Sequence, residues 1–600
     1  MKKLLYALVV IGLAILCMPL ESFAQDTLTV VPATFNTVIN SDTLAGGVRA
    51  HPDRVYRFQR GKVYQVNEPL RINGSFTAVA NDSAGIRPPV LAPAILLDNS
   101  SVDHFFDLIG KGSKVAISDL YLLSQRSDNT WLGWSDAIRV NADSVSVTLR
   151  RVVGEGWSNV FINPSYWMKT DFRDCYFRNC QGSGSWFGGQ IFRGPGGMCL
   201  DTTIMINNTF FANSSYLIDI RGYTPLAVFE HNTCVYGTVN PFLIRQASNL
   251  HIKNNIIYSM HSMGGNPTHV YDGWFLNYPD TGSSSIIRIR GNDSVSYWAS
   301  LWWNTGANKP GAFTGPEAWV DANHGVTLSM LDVSQRVFDV RGNNWFMPTK
   351  LTDFYKAYND TVATFDSISV PVYQGAPAVM RVKRTLIPPT WLTSYAKWTI
   401  DSLAGVLSPN IVVEKTPMME DPGFAADVNG HVDKMIDYVH RISTNTIGTL
   451  RWTFPDSSLY LPDWPVPESF TYTNTALQTA ATDGFAVGDL NWFPAQKEQW
   501  LATDVKRVDN VLPQEFSLEQ NYPNPFNPST TIEFSLPKQA KVTLTIYNLL
   551  GQQVATLVNA TLGAGSYTTE FDASNLASGT YIYRLSSDGF VKTSKMLLLK

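Results

Sequence analysis

The sequence predicts an all-β chain, a long coil of parallel strands followed by a small antiparallel β-sandwich. Three observations carry this. Six segments of one pattern align without gaps between Val115 and Ser259, one position of that pattern is rich in Asn and Asp, and residues 514–600 change to alternating strands broken by Asn-Pro and Gly turns.

The six segments are VAISDLYL from Val115, VTLRRVVG from Val147, TDFRDCYF from Thr170, IMINNTFF from Ile204, VFEHNTCV from Val228 and LHIKNNII from Leu250. Their first and third positions are mostly apolar, as in a strand with one buried face. The fifth position is Asp119, Arg151, Asp174, Asn208, Asn232 and Asn254. Asn and Asp tolerate left-handed backbone, so this column marks a sharp bend. After the bend the seventh position, Tyr121, Val153, Tyr176, Phe210, Cys234 and Ile256, is expected to turn inward. Spacings of 32, 23, 34, 24 and 22 residues suit stacked rungs and are too short for strand–helix–strand units.

These rungs, with their asparagine column, resemble the right-handed parallel β-helix proteins of the pectin-lyase-like group over roughly residues 50–350. The resemblance implies a right-handed parallel β-helix solenoid. Activity is left open, because that fold hosts lyases, hydrolases, esterases and adhesins alike.

Along the chain, Met1 to Ala24 carries two lysines, an apolar run from Leu4 to Leu16 and a Ser22-Phe23-Ala24 cleavage pattern, which predicts a signal peptide over 1–24. The run is too short for a membrane span, and no other stretch is long enough. Residues 25–493 form the expected β-helix with its cap and tail. The cap has Phe35, Val38 and Ile39 at helical spacing, and starter strands follow at Val55 to Phe58, Val63 to Val66 and Leu70 to Ile72. An inward position is expected for Cys234, and no metal-ligand spacing or cofactor motif occurs. A net charge of −4 argues against nucleic acid as a partner.

A second column bears on function. Strands end in apolar-Arg at Arg139, Arg193, Arg221 and Arg245, with Asn163 filling one rung; Ile289-Arg290-Gly291-Asn292 and Val340-Arg341-Gly342-Asn343 look like later copies. Outward arginines on adjacent rungs, about 4.8 Å apart, repel by about 1 kcal/mol per pair in water. Nearby aspartates such as Asp219 and Asp339 would offset this, as would an acidic polysaccharide lying along the column. Aromatic residues crowd the loops leading in, among them Trp131, Trp134, Trp157, Trp186 and Tyr216; their flat faces suit sugar stacking as well as core packing. The expected ligand set is Arg139, Arg193, Arg221, Arg245, Trp134, Trp157 and Trp186. A stripe of Arg150, Arg173, His231 and Lys253 beside the bend reads as a solvated face.

Towards residue 493 the pattern loosens. Asp421-Pro422-Gly423-Phe424 resembles a closing rung, and the segments near Asp483 and Gly488 look like a tail laid back over the coil. Residues 494–513 read as a linker. From Phe516 the chain reads FSLEQNYPNPFNPSTTIEFSLP, then VTLTIYNLLGQQV and GSYTTEFDASNLASGTYIYRL, ending KMLLLK. Short alternating strands of this kind make a small Ig-like sandwich. The stretch closely resembles the C-terminal sorting domain of type IX secretion substrates, which implies handling by that machinery and a secreted or surface location.

Signatures of catalysis are missing. Neither the Trp-Ile-Asp-His and Arg-x-Pro-x-x-Arg motifs of pectate lyases nor the paired aspartates and Gly-His-Gly of polygalacturonase-like proteins occur. The expected function is therefore binding of an acidic polysaccharide. The alternative is a lyase cleaving uronate-containing glycans by β-elimination.

Overall fold

A computed structural model describes residues 26–599, apart from 263–286, 290–335, 401–409, 444–459 and a number of shorter pieces. The expected signal peptide lies outside the described residues.

Every turn of the coil lays down one strand on each of three parallel faces. The first face stacks Val55–Phe58, Phe76–Ala80, Lys114–Ser118, Ser146–Arg150, Lys169–Arg173 and Thr202–Ile206, then residues 226–230, 249–253 and Val337–Arg341. After the bend, the second face runs from Val63–Val66 through Tyr121–Leu123, Tyr176–Arg178 and Thr233–Gly237 to Asn344–Phe346. The third face runs from Leu70–Ile72 through His104–Leu108, Asp136–Val140, Val160–Asn163 and Gln190–Gly194 to residues 218–220 and beyond. The capping helix Phe35–Ser41 buries Phe35 and Ile39 against the first rung, and the three starter strands have the bounds read from the sequence.

Inside the coil the side chains stack in columns. Ala78, Ile117, Leu149, Phe172, Met205, Phe229, Ile252 and Val340 face inward in one such column. This register corrects the gapless alignment. Thr170 pairs with Thr203, and Ala227 with Leu250, so the segments from Ile204 and Val228 are shifted by one. Ile206 therefore faces outward, and Met205 fills the core position. In the seventh-position column Phe210 and Cys234 turn inward as expected, whereas Tyr121, Val153, Tyr176 and Ile256 lie outside the coil's own core.

The bend itself divides into two columns. Left-handed backbone falls at Asp119, Arg151, Asp174, Asn207, His231, Asn254 and Gly342. The next residue on the later rungs, Asn208, Asn232, Asn255 and Asn343, is fully buried and forms a ladder. In that ladder each of Asn208, Asn232 and Asn255 donates its Nδ2 to the Oδ1 of the next rung's asparagine, at 3.0, 3.0 and 2.9 Å. Asn343 belongs here, so Val340–Asn343 is a bend and not a copy of the arginine column.

Outside the coil, a return segment over residues 460–503 crosses the second face and the bend. Its docking explains the buried outer residues. Phe470, Tyr472 and Leu490 join Ile206, Phe211, Tyr236, Ile256 and Tyr258 in a second apolar cluster. Arg178, fully buried, pairs with Glu468 at 2.5 Å, and burial pushes the Glu468 carboxyl up despite that partner. Residues 494–503 of the expected linker form the helix Pro494–Thr503, whose Trp500 is buried. The stripe read as solvated is instead engaged: Asp171 pairs with Arg150 at 2.6 Å and Arg173 at 2.8 Å, and His231 is buried under the return segment. Cys175, Cys180, Cys199 and Cys234 are free and buried.

The C-terminal part is a sandwich of two four-stranded antiparallel sheets. Ser529–Leu536 and Gly565–Asp572 pair in one, while Ala540–Asn548 and Gly579–Ser587 pair in the other. Alternate residues, Ile532 and Phe534 from one sheet and Leu544, Ile546 and Leu585 from the other, form its core.

Candidate functional site

The outward residues of the third face, rung by rung, are Arg71, Asp107, Arg139 and Asn163, then Arg193 and Asp219. Opposite charges or a neutral amide thus separate the arginines along this stretch. Ile218, not Ile220, opposes Phe192, which puts Asp219 beside Arg193 where the sequence alignment expected Arg221. The like-charge repulsion expected of neighbouring arginines therefore does not arise there. Arg139 is doubly held, with Nη2 2.9 Å from Asp103 and 3.0 Å from Asp136. The side chains of Arg221 and Arg245, and Trp186 as a whole, lie outside the described residues.

Trp157 departs most clearly from a ligand role. Its ring is fully buried, edge-on to Phe105 at 4.8 Å, and its Nε1 donates to the Leu122 carbonyl at 3.0 Å. It belongs to the core.

Trp134 is the opposite case, 58% exposed at the mouth of a groove of about 340 Å³. Ser101, Asp103, Arg126, Trp131 and Leu132 line it as well. Two loops build this groove, one leading into His104–Leu108 and one joining the second face to Asp136–Val140. The latter is a tight hairpin. Asn129 takes left-handed backbone at its tip, the Arg126 amide donates to the Thr130 carbonyl, and the Asp128 carboxylate accepts from the Thr130 amide and hydroxyl. Arg126 then ties the hairpin to the neighbouring loop through the Asn99 carbonyl at 3.0 Å.

Trp131 owes its seat to Gly156. A Cβ there would lie 1.9 Å from a Trp131 ring carbon, and the glycine's φ of +80° disfavours any side chain. Asp103 completes the rim. Its burial is outweighed by the bonds to His104 and Arg139, which hold its carboxyl below the usual range, so it faces the groove as an acceptor of hydroxyl protons. Two indoles, a carboxylate and a guanidinium in one groove offer stacking surfaces and directional hydrogen bonds, the requirements for holding a sugar. Sequence reasoning missed Asp103 and Arg126. Asp103 stands just before a strand, outside any periodic column, and the only local signal for Arg126 was the Asp-Asn turn that follows it.

Residues 520–599 match the family described as the secretion system C-terminal sorting domain. No curated protein and no solved structure matches the chain. Among the described residues no helix is long and apolar enough to cross a membrane. The stacked parallel strands of the coil are consistent with a β-helix solenoid and no family match covers them, whereas the sorting domain marks the protein for export to the cell surface or the medium.

Proposed function

We propose that this is an exported glycan-binding protein whose coil presents the Trp131–Trp134 groove to a polysaccharide. The observation that carries this reading is Trp134, a large indole left mostly in water at the rim of a groove that already holds a second indole and polar groups. Acidic polysaccharide was expected from the arginine column. Because Arg139 is already paired with Asp103 and Asp136, a uronate would have to share it with Asp103, so stacking carries the recognition and charge only tunes it.

Titration of the purified full chain with a neutral and a uronate-rich polysaccharide, each at low and high salt, tests the proposal. Trp134→Ala should weaken binding about tenfold, or about 1.4 kcal/mol, with its melting temperature unchanged. Equal binding by wild type and Trp134→Ala would refute the groove. Release of unsaturated uronates in the same samples would favour the lyase instead.

A further inference from the structure

A second constellation lies where the return segment crosses the bend. Glu230 and His231 come from the coil and Asp483 from the return segment, and one ligand atom of each falls within 4.8 Å of the others. Neighbouring residues of a strand normally point to opposite faces. Here His231 takes left-handed backbone, φ 52°, which breaks the alternation and turns both side chains towards Asp483. His231 is fully buried, whereas Glu230 and Asp483 keep 19% and 30% of their side-chain surface in water.

The imidazole is oriented from behind. His231 Nδ1 sits 3.2 Å from the Gly488 carbonyl, which can only accept, and Nε2 faces Asp483 Oδ2 at 2.8 Å with Asn254 Nδ2 at 3.4 Å; with Nδ1 donating to the carbonyl, Nε2 is the nitrogen left for a ligand. Asp483 is itself braced by the Trp500 indole at 3.2 Å. A histidine whose far nitrogen donates to a carbonyl, facing two carboxylates, is the arrangement that orients metal ligands. Lys253 now supplies the positive charge, its Nζ 3.0 Å from Glu230 Oε1. A cation would take the place of that ammonium.

We infer that Glu230, His231 and Asp483 form a binding site for a divalent cation of the zinc class, which fastens the return segment to the coil. One nitrogen and two carboxylate oxygens suit such an ion, with water in the fourth position.

The test uses the full chain stripped with chelator and titrated with zinc chloride by calorimetry, with a melt of each sample. One zinc per chain should bind and raise the melting temperature. Asp483→Asn and Glu230→Gln should each weaken binding at least about tenfold. Lys253→Met, which removes the competing ammonium, should tighten it. That last variant separates a metal site from a purely structural His231–Asp483 hydrogen bond, which gains nothing from losing the lysine. Absence of saturable binding, binding unaltered in Asp483→Asn and Lys253→Met, or equal binding of calcium would overturn the assignment.

Discussion

Replacing Asn232 by alanine tests the asparagine ladder at a rung whose side chain, like that of Asn255, makes four hydrogen bonds. Its Oδ1 accepts from the Asn208 amide at 3.1 Å and from Asn208 Nδ2 at 3.0 Å, and its Nδ2 donates to the Met205 carbonyl at 2.9 Å and to Asn255 Oδ1 at 3.0 Å. All four bonds are buried. At about 1 kcal/mol net for each, their loss predicts a destabilisation of about 4 kcal/mol, because no water reaches the groups left behind. Urea unfolding followed by tryptophan fluorescence measures it. A double-mutant cycle with Asn208→Ala isolates the one side-chain pair that the two residues share, for which a coupling of about 1 kcal/mol is expected. A loss below about 1 kcal/mol for Asn232→Ala would refute the ladder as a structural spine.

Three further outcomes follow from the register, the return segment and the C-terminal domain. Met205→Asp should cost several kcal/mol by burying a carboxylate inside the coil, and Ile206→Asp clearly less, since Ile206 faces the return segment; equal losses in thermal melts would contradict the register. Burial raises the Asp489 carboxyl from 3.8 to about 7, so the native state holds a proton that the unfolded chain releases. Stability should therefore fall as pH rises between these values, by up to about 1.4 kcal/mol per unit, and a pH series of melts should lose that slope in Asp489→Asn. Deletion of residues 512–600 should leave the protein in the periplasm, and fractionation showing normal surface display would argue against the sorting role.

Much of the coil was legible because its inner columns obey a simple period, as the three starter strands show. Where the reading slipped, the cause was cover from outside. Ile204, Ile206 and Val228 look like core residues because the return segment buries the outer surface too, while the true inward positions of those rungs include Thr203 and Ala227, which look unremarkable in sequence. Asn207 and Asn208 add a second ambiguity. One supplies the left-handed turn and the other the ladder, and asparagine suits both roles. Arg221 was misaligned because the strand Ile218–Glu230 runs straight from the third face into the first, without the loop that separates those faces on earlier rungs. The groove was half legible: its indoles stand out in any loop, but Asp103 and Arg126 meet them only through folding.

The return segment also bears on how the molecule comes together. Stacked rungs touch only their neighbours, so an uncovered array can fray one turn at a time. Tyr460 bonds Gln65 near the start of the coil, Thr482 bonds Asn254 near its far end, and Lys497 comes back to Asp174, contacts separated by hundreds of residues along the chain. Such a strap makes distant rungs share one fate. It also delays that cooperativity, because contacts of this span form late and carry a large entropy of closure. Until residues 460–503 are available to dock, the earlier rungs have an apolar flank bare. The coil is thus a loose stack at first and becomes a single cooperative unit only when residues 460–503 strap it shut.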